Sequence, residues 1–367
     1  MNNDRWNADG KLPASLLRPP VFESVNEYPV FRAGMDYRRA LGEMEKHGGI
    51  LVKGSFPTAL KFYSWLKNRI AAANPARDFL SSRKTKQTAS EKTRKILVRV
   101  NSHQIDLEKA PPIPWLRSFY PENHDFLIPL PDLLGMNGAW QWYEKGISYP
   151  AIPWKLHPFY GVYFPVRTGH LTMFDEWLAQ KGKSFRSASD IGTGCGILGF
   201  IMASRGIGKI YGTDINPNAV YSTGMEIERL GLQDRFEIEQ ASFFGSAGRV
   251  NELAVFNPPW IPGKGSSITD TGIYYDRTFF DTFFSEAEKM LAPGATLVLI
   301  FSNFAIEAGI TAINPVEKAL GQSRCFLLAE KITAKAREKP AVPPKGWMDR
   351  IRENEKIELW VLQRANR

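Results

Sequence analysis

The chain has 367 residues, 43% of them hydrophobic, which supports a sizeable core and suggests two domains rather than one. Its net charge of +9 and pI near 9.4 fit an anionic partner such as RNA, DNA or a ribosomal surface. With only Cys195 and Cys325 present, a disulfide scaffold is excluded and a reducing, cytoplasmic setting is expected.

In chain order, Met1-Asn2-Asn3-Asp4-Arg5-Trp6 lacks the apolar region of a signal peptide, and residues 1–30 read as a polar, proline-bearing arm. No apolar run later in the chain approaches the length of a transmembrane helix, so no membrane partner is expected. From Tyr37 to Asn74 apolar residues recur at helical spacing: Ala40, Leu41, Met44, then Leu60, Tyr63, Leu66 and Ile70. Next comes a basic stretch, Arg83, Lys84, Lys86, Lys92, Arg94, Lys95 and Arg99, opposed locally by Glu91 alone. Such density can track phosphates; it is equally an ordinary solvated helix or loop. Ile96-Leu97-Val98-Arg99-Val100 reads as a strand. Residues 111–165 are crowded with proline and aromatics, either the wall of a substrate cleft or a packed connector. The histidines His47, His103, His124, His157 and His170 are scattered, so no metal site is expected.

From about residue 166 the pattern alternates. Helix 171–181 precedes strand 187–191, a helix to about Ser204, strand 209–213 and helix 217–230. Strands 235–239 and 252–256, helix 278–291 and strand 295–302 follow. Helix 314–321 and strands 324–331 and 357–363 finish the chain, with a basic insertion from Lys335 to Glu355 between the last two. Alternation of this kind builds a doubly wound, mostly parallel α/β sheet. We place the boundary at 150, with an accessory, substrate-recognition domain over 1–150 and a Rossmann-like domain over 151–367.

Two places carry chemistry. Strand 187–191 ends at Asp190-Ile191 and runs into Gly192, Gly194 and Gly196, whose bare backbone lets the chain turn tightly and a ligand approach. Asp214 ends the next strand, where a ribose diol is usually held. Gly194-Cys195-Gly196-Ile197-Leu198-Gly199 satisfies the dinucleotide pattern, so a dehydrogenase stays open. Asp190, ahead of the glycines, can meet the ammonium of an amino-acid moiety and favours S-adenosylmethionine. Cys195 reads as a small packing residue.

The second place is Asn257-Pro258-Pro259-Trp260, closing the apolar run Leu253-Ala254-Val255-Phe256. Prolines cannot donate to a ladder, so the turn holds the Asn257 carboxamide and nearby carbonyls outward. Such acceptors grip an N-H2 group, and Trp260 offers a planar substrate a stacking face.

These residues resemble motifs of the class I S-adenosylmethionine-dependent methyltransferases with a small methyltransferase domain. Within them the chain looks most like the HemK family of release-factor glutamine methyltransferases, over roughly residues 158–304. The resemblance rests on Gly161 to Arg167, Asp190-Ile191-Gly192-Thr193-Gly194, Asp214-Ile215-Asn216-Pro217, and Asn257 to Ile261. It implies a seven-stranded methyltransferase sheet with an N-terminal, mainly helical accessory domain. It also implies S-adenosylmethionine at Asp190, Gly192, Gly194, Gly196, Asp214, Ile215, Ser242 and Asn257. Chemistry falls to Asn257, Pro258 and Trp260, and acceptor binding to Pro259 and Arg167. The family usually has tyrosine at Trp260 and an acid near Ser242, and its N-terminal domain is shorter. Asn-Pro-Pro-aromatic is shared with methyltransferases of adenine N6 and guanine N2. The expected substrate is therefore a glutamine amide of a protein, a translation factor or ribosomal protein, with an exocyclic amine of adenine or guanine in RNA or DNA and a small molecule as alternatives. A non-enzymatic RNA-binding module is the remaining alternative.

Overall fold

A computed structural model describes residues 12–23, 27–181, 184–246, 252–265, 272–323, 325–336 and 346–366. The start of the expected arm (1–11) and the middle of the expected insertion (337–345) lie outside the described residues. The chain forms two compact units, 1–141 and 142–367. The division precedes the expected boundary at 150 because Tyr149 is buried in the second unit and its hydroxyl donates to the Pro165 carbonyl at 3.2 Å.

The first unit contains β1 (Phe22–Glu23), β2 (Val30–Phe31), α1 (Tyr37–His47), β3 (Ile50–Val52), α2 (Phe56–Ala73) and α3 (Phe79–Thr93). It continues through β4 (Ile96–Asn101), β5 (Gln104–Ile105), α4 (Trp115–Phe119), β6 (Asp125–Pro129) and α5 (Leu130–Lys145), within which the division falls. Helices dominate by length, but they pack on a six-stranded sheet ordered β1-β6-β4-β3-β2, with β5 beside β4. The single helical stretch expected over 37–74 is broken by β3. Gly48, left-handed at φ 74°, ends α1, and Ile50 and Val52 then bury themselves in the sheet. Phe31 stacks on Phe62 at 4.5 Å, joining strand and helix in one core.

Folding also brings acids to the basic stretch. Lys92 pairs with Glu45, Arg94 with Asp132 and Arg99 with Asp125. The local excess around Glu91 is thus partly neutralised by residues distant in sequence, while Lys84 and Lys86 remain exposed.

The second unit begins with the hairpin β7 (Ile147–Ser148) and β8 (Lys155–Leu156), then α6 (Gly169–Lys181), β9 (Ser187–Ile191) and α7 (Ile197–Ser204). Next are β10 (Lys209–Asp214), α8 (Pro217–Leu230), β11 (Phe236–Gln240) and β12 (Leu253–Phe256). A short pair, β13 (Ile261–Pro262) and β14 (Tyr274–Tyr275), precedes α9 (Phe279–Met290) and β15 (Thr296–Ser302). The end comprises α10 (Phe304–Glu307), α11 (Pro315–Gln322), β16 (Phe326–Lys335), α12 (Trp347–Asn354) and β17 (Lys356–Arg364).

Seven strands form one sheet in the order β11-β10-β9-β12-β15-β17-β16. All neighbours are parallel up to β15; β17 runs antiparallel to both β15 and β16. Strands β12 and β15 are buried at every position, as strands covered on both faces must be. Sequence order runs outward one way from β9 and the other way from β12, so right-handed crossovers place α7 and α8 opposite α9. The reversal between β9 and β12 is the switch point where open α/β sheets bind ligands, outside the strands' carboxyl ends. The inserted antiparallel β17 distinguishes this sheet from the dinucleotide-binding order, which sets aside the dehydrogenase alternative. Among the described residues, no helix is long and apolar enough to cross a membrane.

Candidate active site

Because β9 and β12 are parallel neighbours, the Gly-rich turn and the Asn257 turn leave the same end of the sheet side by side. Both line one cavity of about 630 Å³. Gly192, Gly194, Asp214, Ile215 and Ser242 line it, as do Asn257, Pro258, Pro259, Trp260 and Arg167. Asp190 and Gly196 do not.

The Gly-rich turn is left-handed at all three glycines (φ 62°, 56° and 82°). A Cβ on Gly196 would lie 2.5 Å from the Phe200 ring and 3.0 Å from the Thr223 methyl, so this glycine serves close packing beneath the turn. A Cβ on Gly194 would meet the Tyr163 carbonyl at 3.1 Å, leaving bare backbone as the cavity wall there. Asp190, expected from the sequence to meet a cofactor ammonium, is fully buried under the turn and does not line the cavity. Its Oδ2 accepts from the Thr193 hydroxyl at 2.6 Å and the Gly199 amide at 2.9 Å, which braces the loop from below. Burial pushes this carboxyl up to about 7, against the pull of those two donors.

Asp214 sits at the end of β10 with its oxygens held by backbone: Oδ2 accepts from Gly194 and Oδ1 from Asn216, both at 2.9 Å. Burial raises its pKa, and the bonds from Asn216 and Gly194 oppose the rise. Asn216 caps α8 through Asn218 and donates to the Gly161 carbonyl at 2.9 Å, tying the 160–161 loop to the same strand end. Ile215 and Ser242 are exposed at the cavity edge.

On the other side, Pro258 and Pro259 are buried while Asn257 and Trp260 are half-buried. The Trp260 indole N–H donates to Asn257 Oδ1 at 3.1 Å and to the Ile300 carbonyl at 3.2 Å. The expected stacking residue is thus also bonded to the amide it was expected to work beside. The His170 ring lies 6.0 Å from the Trp260 ring at 84°. Burial pushes His170 down to about 4, so this cavity-lining imidazole is neutral at physiological pH.

Arg167 lines the cavity beside residues that local sequence does not single out. Glu355, 1% exposed, accepts from the Ser302 hydroxyl at 3.0 Å, Arg352 at 2.6 Å and Arg167 at 3.4 Å. The Arg352 guanidinium lies 4.3 Å from the Phe304 ring centre. Arg352 and Glu355 belong to the stretch expected as an insertion. No spacing marks them, because tertiary packing alone brings α12 and the start of β17 to the end of β15.

Residues 168–251 match the family model of ribosomal protein L11 methyltransferase (PrmA), well under half of the chain. A Phocaeicola vulgatus tRNA1(Val) (adenine(37)-N6)-methyltransferase is 30% identical over 124 residues, covering 32% of this chain and 52% of that protein. The chain thus spans about half the length of that relative. A Methanocaldococcus jannaschii protein assigned as a protein N5-glutamine methyltransferase is 27% identical over 164 residues, covering 43% of this chain and 79% of that protein. The crystal structure of ribosomal protein L11 methylase from Lactobacillus delbrueckii subsp. bulgaricus aligns at 14% identity and TM-score 0.38, over 57% of this chain and 84% of that one.

Proposed function

We propose that the protein, whose second unit is a class I S-adenosylmethionine-dependent methyltransferase domain, methylates a planar nitrogen, foremost a glutamine side-chain amide of a protein acceptor. The observation that carries this is the shared cavity: the Gly-rich turn with Asp214 and the Asn257-Pro258-Pro259-Trp260 turn line it together.

The residues fit the cofactor. Bare backbone at Gly192 and Gly194 would take its amino-acid part, Asp214 its ribose hydroxyls, and Ile215 and Ser242 its adenine. Asp190 and Gly196 act one step back, by holding the turn. S-adenosylmethionine supplies a methyl group on a sulfonium that is already a good leaving group. Positioning of the acceptor is therefore what this chain has to add. An amide nitrogen is a weak nucleophile because its lone pair is delocalised. Accepting its N–H bonds through Asn257 Oδ1 and the Pro258 carbonyl turns that lone pair outward and favours positive charge developing on nitrogen. No strong base is called for, and His170, held neutral, supplies no charge against a cationic cofactor.

A protein acceptor is favoured by the similarity that covers 79% of the relative assigned as a protein N5-glutamine methyltransferase. The second reading, an exocyclic amine of adenine or guanine in RNA or DNA, is favoured by the similarity to a tRNA adenine-N6 methyltransferase and by exposed Lys84 and Lys86. Transfer of tritiated methyl into a lysate of cells lacking the enzyme tests both. Label lost to protease supports the first, label lost to nuclease the second, and no incorporation sinks the reading as an enzyme of either kind.

A further inference from the structure

We propose that the Trp260 indole N–H is a positioning device that fixes the Asn257 carboxamide, substituting for the strand donor that Pro258 lacks. It rests on the reading of Asn257 as the group that aligns the acceptor nitrogen, and it explains why this position carries an indole.

Strands β12 and β15 pair in parallel from Leu253↔Thr296 to Phe256↔Leu299. The Thr296 amide donates to the Glu252 carbonyl at 2.9 Å, so Thr296, Val298 and Ile300 present their backbone groups toward β12. Along that alternation the Ile300 carbonyl is due a bond from the amide of residue 258. Pro258 has no amide hydrogen. A buried carbonyl at that point needs another donor. The Trp260 Nε1 provides it at 3.2 Å.

The same N–H reaches Asn257 Oδ1 at 3.1 Å. An indole nitrogen can only donate, whereas a carboxamide has one accepting and one donating end. Only the oxygen can face Trp260, so the flip of the Asn257 amide is decided by the indole. Oδ1 has a second lone pair for an acceptor N–H, in an orientation set before the acceptor arrives. The His170 ring packs perpendicular to the indole, 6.0 Å away. Trp260 is therefore a stacking face whose more consequential contact is at its edge. Phenylalanine keeps the face and loses the edge donor.

Three single variants of the full chain, and one double variant built from them, separate these roles: Trp260→Phe, Trp260→benzothienylalanine (an isostere that keeps the bicyclic face and has sulfur in place of N–H), and Asn257→Ala. The assay is the initial rate of tritiated methyl transfer into a lysate of cells lacking the enzyme, at varied lysate and saturating cofactor. Cofactor affinity by calorimetry reports folding of the site. Both Trp260 variants are expected to lower the maximal rate about 10- to 100-fold, as misplacing a catalytic group does. Cofactor affinity stays within about twofold, since the lost bond is on the acceptor side. The double variant Asn257→Ala/Trp260→Phe should be no slower than Asn257→Ala, because the N–H acts through that amide. A benzothienylalanine enzyme with wild-type rate, beside a slow Asn257→Ala, would overturn the positioning role alone. Full activity in Asn257→Ala would overturn the reading of the turn as well.

Discussion

Asp214 ends β10 and Asp190 is the penultimate residue of the neighbouring β9, yet their environments divide their tasks. Asp214 lines the cavity with its carboxylate oriented by two backbone amides. Losing a hydrogen bond to a charged group typically costs about 1.5–3 kcal/mol, so Asp214→Ala should weaken S-adenosylmethionine binding by roughly ten- to a hundredfold in calorimetry. Unchanged affinity would remove Asp214 from the cofactor site. Asp190 is buried beneath the turn and its pKa is raised from 3.8 to about 7. A carboxyl whose folded pKa lies above its unfolded value binds protons more tightly when folded. Its contribution is therefore fully present below about pH 4 and is lost as pH rises toward about 7. Asp190→Asn, which keeps an acceptor for Thr193 and Gly199, should lessen the fall in melting temperature between pH 4 and pH 7 relative to wild type. Identical pH profiles would show that this carboxyl does not titrate in the fold.

At the scale of elements, the site is assembled from strand ends. Strands β9, β10 and β12 stop at one edge because their parallel registers align them, and each leads into a turn that lines the cavity, while β15 runs on past its last β12 pair to Ser302. The start of β17, running antiparallel, brings Glu355 to Ser302 at the end of β15. That carboxylate collects Arg352 from α12 and Arg167 from the 165–167 loop. Glu355→Ala leaves these donors and the Ser302 hydroxyl without their shared acceptor, at an expected cost of about 1–3 kcal/mol in chemical denaturation. Glu355→Gln, which still accepts from Ser302, should recover part of it. Equal stability of the two variants and wild type would show that the cluster does not hold α12 to the sheet.

Across the whole molecule, the charge of +9 is less concentrated than the sequence suggests. Arg94 and Arg99 are committed to Asp132 and Asp125, and Lys92 to Glu45. Exposed Lys84 and Lys86 on α3 are the better probes of a nucleic-acid surface. If both contact phosphates, Lys84→Gln/Lys86→Gln should flatten the log-log salt dependence of RNA or DNA binding by about 1.4–1.8, at about 0.7–0.9 per contact. An unaltered slope, or no binding at low salt, would leave α3 as a solvated surface. Arg94→Gln belongs to a different class of change: Asp132 is mostly buried, so this variant should lose stability before it reports on phosphate.

The seven strands of the large sheet, the Gly-rich turn and the Asn257 turn are legible in the chain before it folds. Those signals are local: buried parallel strands read as short apolar runs, and glycine and proline mark turns whose backbone tolerates few other residues. The chain also carries the identity of the acid at the end of β10. That Asp190 lies under its turn, that Gly196 packs on Phe200, and that the Trp260 edge meets Asn257 and Ile300 emerges from the folded core alone. The same holds for Glu355 with Arg352 and Arg167, and for the acids that neutralise the basic stretch. In the first unit, strands of two or three residues such as β1, β2 and β3 are too short to show a period of two, so helix-spaced apolar residues on either side mask them. Periodicity reports which face of an element is buried; which residue meets it across the core depends on strand register and crossover direction, which no local pattern encodes.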